Sequence, residues 1–260
     1  MKFLSLLAAS ALFVTLNAET ITYDLQKEFG KTPNAKVEGN ILTFKGPGTL
    51  RLSSVKLDPS AKYTISMEVK QSGDAKVFPF FCGFYCYDKN GKQLMHENIR
   101  IIRNTDTVLA VDAKPGDKTI TVKNASAWKN GTWIAFCTKT DYSDIPNRNV
   151  VMAGKVIEKK GDVWVVALSA PLKTAYAAGT GVRQHGAGGY VYTTYAGKAT
   201  SEWKKVTGTV SGINPLENGG YFKRFWPGTD SVCPMVMLNW NWKDRTGEIQ
   251  IRNLTLTIEK

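Results

Sequence analysis

The stretch Val232–Trp242 ends with two tryptophans and two asparagines in alternation. In an extended strand alternate side chains lie on opposite faces, so Trp240 and Trp242 share one face and Asn239 and Asn241 share the other. Indole rings can pack on the apolar C–H faces of sugars, and amides hydrogen-bond with sugar hydroxyls. The periodicity favours Trp240 as a core residue. Trp242 lies near the following turn, so a core position and a saccharide contact are both open for it. Asn239 and Asn241 are candidate saccharide contacts, with ordinary solvation of a strand edge as the alternative.

A second group of rings lies in the loop Tyr221–Thr229, where basic residues stand beside aromatic ones. Loops carry binding functions disproportionately, and rings next to cations are compatible with an anionic sugar. The candidates here are Tyr221, Lys223, Arg224 and Trp226. We expect Tyr221 and Trp226 to be the most exposed of these rings. The alternative is that the rings cap the end of the fold.

The apolar, aromatic stretch Val77–Leu94 predicts a central strand that ends at the turn Asp88-Lys89-Asn90-Gly91. Tyr85 and Tyr87 then face away from Phe84 and Cys86. These two tyrosines either line a groove or pack beneath another part of the chain. The same two alternatives hold for Tyr190, Tyr192 and Tyr195.

These candidates must be positioned by strands, because the chain shows period-two alternation and no sustained helical period. The sequence predicts an all-β fold without helices. Tyr63, Ile65, Met67 and Val69 would share one face of a strand, Gly39-Asn40 is a hairpin signal, and Met95–Arg103 would be extended. The segment 108–183 has its own turn signals and short β-rich runs, which predict a small inserted β-barrel or sandwich. Residues 19–107 and 184–260 would together form the outer domain, and Gly186–Gly189 would be a flexible exit from the insert.

The first eighteen residues combine one lysine, an apolar run and Leu16-Asn17-Ala18, a pattern typical of a secretory signal peptide. No second stretch is long enough to span a bilayer. We therefore expect a secreted, periplasmic or cell-surface protein with no transmembrane segment in the mature chain. The net charge of +12 favours an anionic polysaccharide or cell-surface glycan over nucleic acid, and ordinary solubility charge is the alternative.

The four cysteines are Cys82, Cys86, Cys137 and Cys233. On one strand Cys82 and Cys86 would lie about 13 Å apart, too far for a mutual disulfide. A cross-strand bridge from one of them to Cys233 and a set of buried free thiols are both open. With two histidines and no Cys-x-x-Cys pair, the sequence does not favour a cysteine-rich metal site.

Several motifs resemble consecutive strands of one family, the jelly-roll, galactose-binding-like β-sandwich carbohydrate-binding modules. The resemblance covers about 160 residues, which lie on both sides of the insert. The motifs are Tyr63–Lys70, Phe84–Lys92, Glu202–Gly208, Phe225–Thr229 and Thr246–Leu254. The resemblance implies a jelly-roll sandwich and non-catalytic binding of an extracellular polysaccharide. The family often has an acidic residue before the asparagine of the last strand, where it can help to hold a structural calcium. Arg252 stands there, so the sequence leaves a structural calcium open without supporting it, and we assign no metal site and no cofactor.

The first alternative function is a polysaccharide lyase or hydrolase of jelly-roll type. Gln184-His185 and Tyr221-Phe222-Lys223 resemble the Gln-x-His and Tyr-Phe-Lys elements of jelly-roll alginate lyases. The residue between Gln184 and His185 is missing, and Pro227 stands where a further tyrosine is expected. The second alternative is a structural or adhesive surface protein without a sugar site. We favour a protein that is not an enzyme.

Overall fold

A computed structural model of the chain describes residues 18–72, 79–216, 223–238 and 247–260. Seventeen strands and two short helices form in these ranges, so the predicted all-β class is confirmed. The predicted leader lies outside the described residues except for Ala18, and the predicted export stays a prediction. No helix within the described ranges is long and apolar enough to cross a membrane.

Two antiparallel sheets form a sandwich from the two ends of the chain. The first sheet has the order β15-β6-β17-β3-β2, and β1 also pairs with β17. Its strands are β1 (Ala18–Thr22), β2 (Ala35–Glu38), β3 (Ile41–Lys45), β6 (Lys62–Ser72), β15 (Lys204–Ser211) and β17 (Glu248–Glu259). The second sheet has the order β14-β7-β16-β4, and β5 pairs with β16. Its strands are β4 (Gly48–Arg51), β5 (Val55–Lys56), β7 (Pro79–Tyr87), β14 (Val191–Lys198) and β16 (Ser231–Leu238).

The core of the sandwich follows from strand alternation. On β6 the predicted inward residues Tyr63, Ile65, Met67 and Val69 are all buried, and the residues between them are partly exposed. Burial of such side chains stabilises the fold by roughly 25 cal/mol per Å² of apolar surface removed from water. The ring of Tyr63 lies edge-on to Phe84 of the second sheet, with centroids 6.3 Å apart. Contacts of this kind join the two sheets into one core.

The outer face of the first sheet carries two rows of hydroxyl side chains. The strand registers align Thr209, Thr64, Thr257 and Thr20 in one row and Thr207, Ser66, Thr255 and Thr22 in the other. Neighbours within the rows hydrogen-bond with each other, as in the Thr64–Thr209 pair at 3.0 Å and the Thr20–Thr257 pair at 3.1 Å. Threonine also has a high strand propensity, which suits these positions. The two rows make this part of the face polar, and their hydroxyls find hydrogen-bond partners within the rows.

The third sheet comes from one continuous segment and has the order β8-β13-β10-β11-β12-β9. Its strands are β8 (Thr107–Val108), β9 (Thr119–Val122), β10 (Trp133–Phe136), β11 (Val150–Lys160), β12 (Val163–Leu168) and β13 (Gly181–His185). A bridge between Leu109 and Val122 connects its two edges, so the sheet closes into a small barrel. The barrel has its own apolar cluster. The division of the chain into two domains stays a prediction.

Our prediction that the chain lacks helices is wrong at two places, α1 (Leu25–Phe29) and α2 (His96–Ile99). We expected α2 to be extended. Each is a single turn stabilised by a local side chain: Asp24 accepts hydrogen bonds from the amides of Gln26 and Lys27, and Asn98 accepts one from the amide of Met95 at 2.9 Å. Such short turns depend on capping and carry no helical periodicity.

Helix α2 lies where the barrel meets the sandwich. Asn98 donates from its side chain to the carbonyl of Asn147 at 3.1 Å, and the amide of Asn147 donates to the carbonyl of Asn98 at 2.7 Å. Arg148 of the barrel forms an ion pair with Asp88 at the end of β7. The two parts of the chain are therefore joined by directed polar contacts.

Candidate functional site

The outer face of the second sheet bears an open cleft of about 760 Å³. Strand β7 explains its floor: Phe80, Cys82 and Phe84 point into the sandwich core, so Phe81 and Tyr85 point outwards. The cleft is lined by Thr49, Arg51, Pro79, Phe81, Tyr85, Gly188, Gly189, Tyr190, Tyr192, Tyr195, Ala196 and Met237. We call it the tyrosine cleft.

The rings of the tyrosine cleft form a continuous series. Tyr85 and Tyr190 have centroids 4.5 Å apart, and Tyr190 and Tyr192 are 6.3 Å apart. Tyr192 lies 5.7 Å from Tyr195, and Phe81 contacts both, at 5.4 and 5.0 Å. Tyr195 is 68% exposed. Four tyrosines and one phenylalanine therefore present a row of ring surface that runs from a buried floor to solvent.

A bulged strand places Tyr195 in this row. Tyr192 and Tyr195 are three residues apart and would lie on opposite faces of a regular strand. The pairing of β14 with β7 shifts register between Tyr192 and Thr194 and again between Thr194 and Gly197. These irregularities bring both rings to the same side. Alternation read from the sequence could not show this.

The phenols of Tyr190 and Tyr192 are neutral at ordinary pH. Burial raises the pKa of Tyr190 and of Tyr192 above the usual value of about 10. A neutral phenol can both donate and accept a hydrogen bond, which matches the hydroxyls of a sugar. The hydroxyl of Tyr192 also lies 3.8 Å from the sulfur of Met237 on the cleft floor.

One cation lies in the cleft. The guanidinium carbon of Arg51 on β4 is 4.3 Å from the centroid of the Tyr85 ring. Arg51 is exposed, and none of the described residues that line the cleft is an aspartate or glutamate. Its outward direction follows from the buried positions of Leu50 and Leu52 on either side of it. Sequence reasoning missed this residue, because only the sheet order places β4 beside the tyrosines.

The glycines Gly188 and Gly189 close one end of the cleft. A Cβ on Gly188 would overlap the ring of His96 in α2, and a Cβ on Gly189 would overlap the ring of Tyr192. We predicted this segment to be a flexible exit from the barrel. That flexibility stays a prediction; in the structure the absence of a Cβ allows the backbone to approach α2 and the cleft closely.

The predicted site residues other than Trp226 divide into three groups. Tyr85 and Tyr87 lie on the outward face of β7 and pack in the cluster beneath the cleft; Tyr85 is 2% exposed and lines the cleft, whereas Tyr87 is half-buried. Lys223 and Arg224 are exposed and do not line the cleft. Tyr221, Asn239, Asn241 and Trp242 lie outside the described residues, so their roles stay predictions.

The expectation that Trp226 is exposed is wrong, since only 1% of it is accessible. Its ring stacks on His96 with centroids 5.5 Å apart and planes 8° from parallel. Trp226 therefore fills the space between α2 and the sandwich core, as in the alternative that the loop rings cap the fold. Phe81 is a cleft ring that sequence reasoning missed, whereas Tyr190, Tyr192 and Tyr195 lie in the cleft, as in the first of the two alternatives given for them.

Two of the residues behind the lyase alternative have structural contacts in this fold, whereas Tyr221 and Phe222 lie outside the described residues and Lys223 is exposed. Gln184 and His185 are fully buried. Gln184 donates to the carbonyl of Lys129 at 2.7 Å and accepts from its amide at 2.8 Å. His185 is engaged through both ring nitrogens, by Arg183 at 2.9 Å and by the carbonyl of Glu97 at 2.6 Å. Neither side chain is accessible to a substrate.

Arg252, which stands where the resembled family often has an acidic residue, makes two contacts. Its guanidinium forms an ion pair with Glu68 at 2.5 Å and lies 4.2 Å from the Trp203 ring centroid. Asn253 also donates to Glu68, at 3.3 Å. In the described ranges no group of three or more His, Cys, Asp and Glu side chains could hold a metal ion.

A second cleft, of about 530 Å³, lies on the barrel. Trp133, Met152 and Tyr176 supply its rings and apolar surface, and Arg148 and Lys173 line it. Arg148 is already paired with Asp88. Among the described residues, the tyrosine cleft has a series of contacting rings and an arginine without an acidic partner. The barrel cleft has neither.

The chain matches no protein-family model, no curated protein and no solved structure. The geometry of the tyrosine cleft is therefore the basis for a functional proposal.

Proposed function

We propose that this chain is a non-catalytic carbohydrate-binding protein that holds an extracellular polysaccharide in the tyrosine cleft. The observation that carries the proposal is the series of five contacting rings, from buried Tyr85 to exposed Tyr195, on the outer face of a sandwich sheet. An elongated ring surface provides apolar area for successive sugar rings, and each aromatic side chain can bury 150–250 Å², by the usual order of magnitude.

The polar groups of the cleft would supply specificity. The phenols of Tyr190 and Tyr192 and the hydroxyl of Thr49 lie among the rings and can hydrogen-bond with sugar hydroxyls. Few, well-placed polar groups in an apolar cleft are typical of ligand sites. Among the described residues, those that line the cleft include no carboxylate pair of the kind that glycoside hydrolysis uses, so the proposal is one of binding.

The proposal is tested by affinity electrophoresis and calorimetry with a panel of soluble plant, algal and bacterial polysaccharides. We expect Tyr195→Ala and Tyr192→Ala each to weaken binding about tenfold or more, equivalent to about 1.4 kcal/mol. Trp133→Ala, which removes a ring from the barrel cleft, is the matched control and should bind as the wild type does.

Three results would overturn the proposal. Binding that survives both tyrosine substitutions but is lost in Trp133→Ala would move the site to the barrel. New reducing ends or rising ultraviolet absorbance during incubation would favour the lyase or hydrolase alternative. No binding to any polysaccharide, together with self-association in sedimentation, would favour the structural or adhesive alternative.

A further inference from the structure

Arg51 differs from the other strongly held arginines of the described chain in what balances its charge. Arg148, Arg183 and Arg252 each form an ion pair with an aspartate or glutamate. None of the ion pairs found among the described residues includes Arg51. Its guanidinium is instead held against a ring, that of Tyr85.

This arrangement fixes the position of the guanidinium without neutralising it. A ring covers one face of the planar group and attracts its charge, while the N–H donors lie in the plane of the guanidinium. Beneath Arg51 lies the outward apolar cluster of the second sheet, formed by Tyr85, Cys233, Met235 and Met237, and no acid is found among the described residues that line the cleft. The charge of Arg51 is thus left for a ligand to balance.

We infer, building on the proposed function, that the polysaccharide is acidic and that Arg51 binds its oxyanion, a uronate carboxylate or a sulfate ester. Planar guanidinium groups bind such oxyanions through paired N–H donors, and charge-assisted hydrogen bonds are about twice as strong as neutral ones. The rings would bind the sugar faces, and Arg51 would select acidic chains over neutral ones.

This local recognition is separate from the diffuse effect of the net charge of +12. A diffuse field accelerates the approach of any polyanion and is screened by salt, with a Debye length of about 8 Å at physiological ionic strength. A contact with one positioned arginine instead discriminates between otherwise identical polymers. Substitution of that arginine alone should remove the discrimination.

The test compares three soluble polymers at physiological salt: polygalacturonate, the same polymer with its carboxylates chemically reduced to alcohols, and a sulfated galactan. We expect the wild type to bind at least one acidic polymer ten or more times more tightly than the reduced polymer. Arg51→Gln should lose that preference and keep its affinity for the reduced polymer. Preference for polygalacturonate identifies a uronate ligand, and preference for the sulfated galactan identifies a sulfate ester.

Arg103→Gln is the charge-matched control, since Arg103 is exposed and lies away from the tyrosine cleft. It should keep the wild-type preference, and Arg51→Lys should keep only part of it, because ammonium lacks the paired planar donors. An unchanged preference in Arg51→Gln, or an equal loss in Arg103→Gln, would show that diffuse charge alone is responsible and would overturn the inference.

Failure of the inference can be distinguished from failure of the proposed function. Equal binding of acidic and reduced polymers, still sensitive to Tyr195→Ala, would overturn the role of Arg51 and leave carbohydrate binding intact. If the protein binds none of the three polymers and no other polysaccharide, both the role of Arg51 and the proposed carbohydrate binding are overturned. Circular dichroism and thermal unfolding of Arg51→Gln are the control for whether the variant is folded.

Discussion

Acid should destabilise this protein through His185, which lies at the junction of barrel and sandwich. The side chain is fully buried. The Nε–H of Arg183 can only donate, so Nε2 of His185 accepts its hydrogen bond at 2.9 Å. Nδ1 then carries the proton and donates to the carbonyl of Glu97 at 2.6 Å. A second proton on the ring would remove the acceptor and place a cation beside the guanidinium.

The magnitude follows from the pKa of His185, which burial lowers to about 4; the carbonyl of Glu97 and the charge of Asp144 oppose the shift, and Arg183 adds to it. In the unfolded chain the ring titrates near 6.5. Between these values the unfolded state binds the proton and the folded state does not. Stability is therefore complete above pH 6.5, and about 3 kcal/mol is lost as the pH falls to 4.

The measurement is urea unfolding of the wild type and His185→Gln at several pH values from 7.5 to 4. Glutamine can accept from Arg183 but does not titrate, so the variant should be less stable at pH 7.5 and should lose about 3 kcal/mol less than the wild type on acidification. His96, whose pKa burial and Arg100 lower to about 4, titrates in both proteins and cancels in the comparison.

Parallel stability curves for the two proteins would refute this reasoning. If His185→Gln does not fold, the wild type answers the question directly by NMR. The ring protons of His185 should then show no titration near pH 6.5 and should shift only as the pH approaches 4. A midpoint near 6.5 in the folded protein would contradict the assigned tautomer and its hydrogen bonds.

Three further predictions concern packing, thiols and the last strand. Gly83→Ala should lower stability by about 1–3 kcal/mol and weaken polysaccharide binding, because its Cβ would overlap the carbonyl of Val191 and displace the strand that carries the cleft tyrosines; an unchanged melting temperature would contradict this. A thiol reagent should label Cys137 alone in the folded protein and all four cysteines in denaturant, since the other three are buried; a disulfide found by mass spectrometry would be the opposing result. Arg252→Ala should cost less than about 1 kcal/mol in urea unfolding, because its pair with Glu68 is partly exposed; a loss of several kcal/mol would show a larger role for that pair.

The sequence was sufficient where the decisive signal is local. Alternation over Tyr63–Val69 identified the inward face of β6, because strand periodicity is a property of consecutive residues. The Gly39-Asn40 signal predicted the hairpin of β2 and β3, and Gly39 has the positive φ of 60° that such a turn favours.

The cysteines show where local reasoning stops. A bridge to Cys233 and free thiols were both open from the sequence, and all four cysteines are free in the structure. Cys86 lies opposite Val232 and faces the sandwich core, whereas Cys233 lies opposite Tyr85 in the outward cluster. Only the register between β7 and β16 places the two thiols on different faces of the sheet.

The tyrosine cleft could not be predicted from the sequence either, because it also depends on which strands lie side by side. Arg51, Tyr85 and Tyr195 are far apart in the chain and meet because β4, β16, β7 and β14 lie side by side in that order. Trp226 was expected at the surface because its loop is rich in charge, yet the stacking surface of His96 in α2 buries it. Non-local contacts of this kind leave no periodic trace in a sequence.

The two outer faces of the sandwich differ in a way that singles out the tyrosine cleft. On the first sheet two rows of outward side chains are short hydroxyls that hydrogen-bond with one another, as Thr64 does with Thr209, and the outward Arg252 is paired with Glu68. On the second sheet the outward positions hold large rings, and Tyr195 remains 68% exposed. Each exposed Å² of apolar ring leaves about 25 cal/mol of stabilisation unrealised. A ligand that covers this surface and balances Arg51 would recover that free energy, whereas the hydroxyl rows of the first sheet leave no comparable apolar surface or unbalanced charge.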